Sequence, residues 1–81
     1  MDAGKTPNAD EQLDACGLNC PLPLLKAKQA LNAMASGLVL EIVCTDPGSV
    51  RDFQVFSEQS GHKLLASTSD SDTYRYWLQK K

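Results

Sequence analysis

Apolar residues in the first half of the chain fall at helical spacing. Leu24, Ala27, Leu31 and Met34 form one stripe, and Lys26, Lys28, Gln29 and Asn32 face away from it. This predicts a helix opening in the Cys20-Pro21-Leu22-Pro23 segment and ending at Gly37. A short strand over Gln12 to Ala15 precedes it, with a loop over Gly17 to Asn19. Leu38 to Thr45 is a β run around Val39, Ile42 and Val43. A second helix follows with Val50, Phe53 and Phe56 inward and Gly61 closing it. Either Asp46 caps it with Pro47 in the first position, or Ser49 does with Asp52 as the capping-box acid. His62 to Thr68 and Thr73 to Gln79 read as two strands around a Ser-Asp-Ser-Asp turn. Alternation in the last strand sets Tyr74, Tyr76 and Leu78 on one face and Arg75, Trp77 and Gln79 on the other.

The order β-α-β-α-β-β, two parallel crossovers and a hairpin, predicts an α+β two-layer sandwich. Two helices would pack on one face of a four-stranded mixed sheet. Residues 1 to 10 are small and polar and read as a disordered tail, leaving 11 to 81 as the folded domain.

With 81 residues the chain is one domain. A chain of this size buries only about 60–65% of its unfolded surface, which leaves no depth for an enclosed active site. Chemistry belongs at the surface, with a partner completing the site. The formal charge is −2, and four of the ten acids lie in the first fourteen residues. No strongly basic face is expected, which argues against direct nucleic-acid binding. No apolar run nears the roughly 20 residues of a membrane span, and the start of the chain lacks a signal-peptide stretch. A cytoplasmic location is expected. Three cysteines in a cytosolic chain favour thiol chemistry over a disulfide scaffold.

Cys20 is the candidate nucleophile. Pro21 suits the first helical position and Pro23 is tolerated two residues on, which sets Cys20 at or beside the helix N-cap. There the positive end of the helix dipole, with the Leu22 amide as the nearest free donor, favours the thiolate. Position 23, where a thioredoxin-like motif carries its second cysteine, is proline. A sulfur held on Cys20 meets no resolving thiol at that position, which suits a carrier. The plain alternative is a small residue packed at a helix start.

The run Leu13-Asp14-Ala15-Cys16-Gly17-Leu18-Asn19-Cys20-Pro21-Leu22-Pro23 resembles the signature of the TusA-type, or SirA-like, sulfur-carrier family, Leu-Asp-x-x-Gly-Leu-x-Cys-Pro-x-Pro. Asp46-Pro47, Arg51-Asp52, Gly61-His62 and Tyr74-Arg75-Tyr76 also resemble that family, so the likeness runs from Gln12 to Gln79. It implies that Cys20 takes sulfur from a cysteine desulfurase as a persulfide and hands it to a downstream acceptor protein. The pathways implied are tRNA 2-thiouridine formation, molybdenum-cofactor assembly or related sulfur routes, with no cofactor beyond the covalent sulfur. The residues around Cys20 are then Pro21, Leu22, Pro23 and Gly17, with Arg51 as an electrostatic aid.

Cys16 departs from the bare signature. It could form a reversible disulfide with Cys20, making the protein a redox-sensing interaction module, or it could pack inward. Cys44, near the end of its strand, is expected close to Cys16 or in the core. Cys16, Cys20, Cys44 and His62 number enough for a zinc site but lack a second chelating pair, so no metal is expected. His62 is expected to pack at a strand start, and Trp77 with Arg75 to lie on the sheet face away from the helices.

Overall fold

The computed structural model describes residues 7–19 and 21–81. Along them run β1 (Glu11–Ala15), α1 (Leu22–Asn32), β2 (Val39–Cys44), α2 (Ser49–Ser60), β3 (Lys63–Asp70) and β4 (Thr73–Gln79). The expected element order and mixed four-stranded sheet are both present. The strands lie in the order β1-β2-β4-β3. β1 pairs parallel to β2 from Glu11↔Leu40 to Ala15↔Cys44. β4 pairs antiparallel to both β2 and β3. The second crossover therefore lands β3 one place away from β2, and β4 fills the gap between them.

Period-two alternation decides which side chains enter the core. From β2, Leu40, Ile42 and Cys44 are buried, and from β4, Tyr76 and Leu78. They meet Ala27 and Leu31 of α1 and Phe53 of α2. Phe53 stacks on Tyr76 with ring centroids 4.7 Å apart. The Tyr76 hydroxyl lies 2.7 Å from Ser49 Oγ in a buried hydrogen bond, so the polar end of the ring has a partner.

Several boundaries differ from the sequence reading, each for a physical reason. α1 ends at Asn32, well before Gly37. Its last turn tightens through Ala33 N–H to Ala30 O and Met34 N–H to Leu31 O. Lys80 Nζ also donates to Leu31 O at 2.7 Å, a C-terminal partner brought from the far end of the chain. Met34 is buried beyond the helix rather than within its stripe. At α2, Gly48 holds the N-cap position with no side-chain cap bond. Ser49 is the first helical residue, and its hydroxyl is taken by Tyr76. The Asp46 carboxylate instead accepts Gly48 N–H at 3.3 Å. Val50, expected inward, is 49% exposed. Gly61 does close α2, with φ 86° and its N–H donating to Ser57 O.

β3 begins at Lys63 and runs to Asp70, so the hairpin turn shrinks to Ser71-Asp72, with Ser71 at φ 56°. A register shift between Leu64 and Ala66 breaks the outer strand. Asp10, at the end of the segment read as a tail, is tied to β2: its N–H donates to Val39 O, and its carboxylate accepts Val39 N–H, both at 2.8 Å. Residues 1–6 lie outside the described residues. Among the described residues, no helix is long and apolar enough to cross a membrane.

Candidate functional site

The carboxyl ends of β1 and β2 and the amino ends of α1 and α2 meet at one pole, because two β-α units leave a parallel pair in the same direction. Cys20 belongs to the β1–α1 connection and lies outside the described residues, so its flanks define the site.

On the β1 side, Leu18 N–H donates to Ala15 O across a turn with Gly17 at φ 81°. That φ, as at the third position of a type II turn, is what the glycine provides. Gly17 N–H donates to Thr45 Oγ1 at 2.9 Å. This bond ties the loop after β1 to the loop after β2. Thr45 had no signal in the sequence, since the bond joins residues 28 positions apart.

On the α1 side, Pro21 occupies the N-cap position, so Leu22 is the first helical residue and Pro23 the second. Each is one place earlier in the helix frame than expected. The Leu22 N–H donates to Asn19 O at 2.8 Å, so the donor expected to be free is taken. Leu25 N–H donates to Pro21 O at 3.0 Å, the first bond of the helical ladder. No acidic residue stands in the first turn of α1, so nothing there offsets the positive end of its dipole.

Apolar side chains rim this pole. Leu22 is 44% exposed, Leu25 49% and Val50 49%. Arg51 is exposed and lines a groove of about 320 Å³ between the helices, beside Leu24 and Val55.

Cys16 sits on the other side of the sheet. It is exposed and borders a hollow of about 530 Å³ with Asp14, Val43 and Arg75. Its N–H donates to Asp14 Oδ1 at 3.0 Å. The same carboxylate, hydrogen-bonded to the thiol, pushes the Cys16 pKa up, while Asp14 itself is held below the usual carboxylate value. Cys44 faces the helices, and burial pushes its thiol up as well. The two cysteines adjoin along the sheet, since Cys44 pairs with Ala15, but they occupy opposite faces. His62 is near the other end of β4, where Lys63 pairs with Gln79. The fold therefore does not bring Cys16, Cys44 and His62 together. Among the described residues, no group of three or more His, Cys, Asp or Glu is placed to hold a metal. Trp77 lies opposite Glu41 and Ala66 and is only 5% exposed, so it offers no projecting contact.

Comparison with known proteins places this arrangement. Residues 11–80 match the family model for sulfurtransferase TusA. The sulfur carrier protein TusA of Allochromatium vinosum is 51% identical over 71 residues, covering 88% of this chain and 93% of that protein. The putative sulfur carrier protein YrkI of Bacillus subtilis is 42% identical over 72 residues, covering 89% and 96%. A crystal structure of a SirA-like protein from Desulfitobacterium hafniense superposes with a TM-score of 0.74 at 24% identity, covering 85% of this chain and 95% of that one, a likeness of fold. A family match across nearly every described element, with close relatives over the same span, makes this chain a member of the TusA sulfurtransferase family.

Proposed function

We propose that this protein is a cytoplasmic sulfur carrier that holds sulfane sulfur as a persulfide on Cys20. The Cys20 thiolate attacks the outer sulfur of a donor persulfide on a cysteine desulfurase. A sulfur–sulfur bond forms to Cys20 as the donor's bond breaks, and the donor cysteine leaves as thiolate. A thiol or other nucleophile of the downstream acceptor protein then takes the outer sulfur and returns Cys20 to thiolate.

The observation that carries this reading is the unbroken signature from Leu13 to Pro23, inside a family match that spans the fold. Two features of the pole support it. The first turn of α1 has no acid, which favours an anionic sulfur beside it. Proline at position 23 leaves no second thiol there to expel the cargo. The exposed Leu22, Leu25 and Val50 fit a surface that a partner covers during transfer, and the exposed Arg51 suits an acidic group on that partner. The raised Cys16 pKa keeps that thiol mostly protonated at neutral pH, so it is a poor resolving nucleophile.

The test is intact mass spectrometry after incubation with a cysteine desulfurase, cysteine and pyridoxal phosphate, without added reductant. Wild type should gain about 32 Da, one sulfur, removable by a thiol, and Cys20→Ser should gain nothing. Equal gain on both proteins, or none on either, would sink the reading. A loss of two hydrogens on wild type alone would point instead to a Cys16–Cys20 disulfide.

A further inference from the structure

The pole opposite the β1–α1 connection gathers cations. The ends of α1, α2 and β4 and the start of β3 enclose a hollow of about 380 Å³ lined by Lys28, Lys80, Lys81 and His62, with Phe56 in its wall. No acidic side chain lines it. This contrasts with a chain whose formal charge is −2. No ion pair engages the three lysines among the described residues.

The cations are held in place. Lys80 is partly buried and spends one donor on Leu31 O at 2.7 Å, which fixes its ammonium and leaves two donors. Lys28 Nζ stands 5.6 Å over the Phe56 ring. The Lys81 stem lies against Gly61, where a Cβ would come within 3.1 Å of its Cδ. His62 is 8% exposed, and its Nδ1 accepts the Lys81 N–H at 3.2 Å. In the neutral ring the proton is therefore on Nε2. Nε2 has no partner among the described residues, and no buried side-chain nitrogen or oxygen there is left unsatisfied, so it reaches the hollow as a donor.

We propose that this hollow binds the phosphate groups of a small polyphosphate ligand, held by the Lys28, Lys80 and Lys81 ammoniums and His62 Nε2–H. Four donor groups converge, and the other polar side chains of the lining, Asn32, Gln59 and Ser60, are neutral, which suits a compact, multiply charged oxyanion. The volume admits a diphosphate with a modest organic group attached. The site is separate from the sulfur-carrying pole and does not depend on that function.

The chain's one histidine makes the test direct. Inorganic pyrophosphate is titrated into the full chain while the His62 ring protons are followed by NMR. The resonances should shift saturably, and the imidazole pKa should rise with the anion bound, since a nearby negative charge favours imidazolium. Lys28→Glu and Lys81→Glu, both at exposed positions, should each weaken binding about tenfold, the scale of one charged hydrogen bond. Three results would overturn the proposal: a shift matched by sodium chloride at equal ionic strength, a shift unchanged in both variants, or equal binding of citrate, which would deny any preference for phosphate.

Discussion

At the scale of single residues, Asp14 and Gly17 shape the site more than their size suggests. Asp14 accepts the Cys16 amide and raises the thiol's pKa, so one carboxylate both fixes the turn and quiets the second cysteine. Asp14→Asn replaces the carboxylate that accepts the thiol's hydrogen bond, the chief cause opposing ionisation, with a neutral amide, and removes its charge as well. Cys16 should then be alkylated faster near neutral pH, with Cys20 little changed, as read by peptide mapping after a timed pulse of iodoacetamide. No acceleration would mean that Asp14 does not govern the thiol. The cysteine-proline pair and the glycine are legible in the sequence because their chemistry is local. The Thr45 bond and the occupied Leu22 amide are not, since each depends on where another segment sits.

At the scale of elements, helical and strand periodicity places all six segments, and the faces of β4 fall as alternation requires. Ends are less legible. α1 stops where Lys80 meets the Leu31 carbonyl, and a lysine 49 positions away leaves no trace in the helix's own sequence. Ser49 looks like a cap but is drawn into the core by Tyr76, a link that local pattern cannot encode. That link predicts a measurable cost. Tyr76→Phe keeps the ring stacked on Phe53 but takes the phenol partner from the buried Ser49 hydroxyl, which keeps only its bond with the Cys44 thiol. Stability should fall by about 1–3 kcal/mol, read from urea unfolding with unchanged m. The double variant Tyr76→Phe with Ser49→Ala should recover part of the loss, because both polar ends are then gone.

At the scale of the whole molecule, the β-α-β-α-β-β order defines the two layers but not the sheet order. Nothing in β3 says that β4 will come between it and β2. Global stability should carry a signature of His62. Burial, then the Lys80 and Lys81 charges, lower its pKa from the ordinary 6.5, with Phe56 packed beside the ring. The folded state therefore holds its proton less tightly than the unfolded chain. Stability should be full above about pH 6.5, fall as pH drops through the lowered folded value, and level off once both states are protonated. Denaturant midpoints across that range should show this slope for wild type and lose most of it in His62→Gln.

The place of β4 between β2 and β3 also bears on how the chain is made. The last of the described strands in chain order is an inner one, and it carries Tyr76 and Leu78 into the core. Until it emerges, β2 and β3 have no neighbour to bridge them, and Phe53 has no ring to stack upon. Folding therefore waits until Thr73–Gln79 has been made, and a product interrupted before it exposes apolar faces that quality control can recognise.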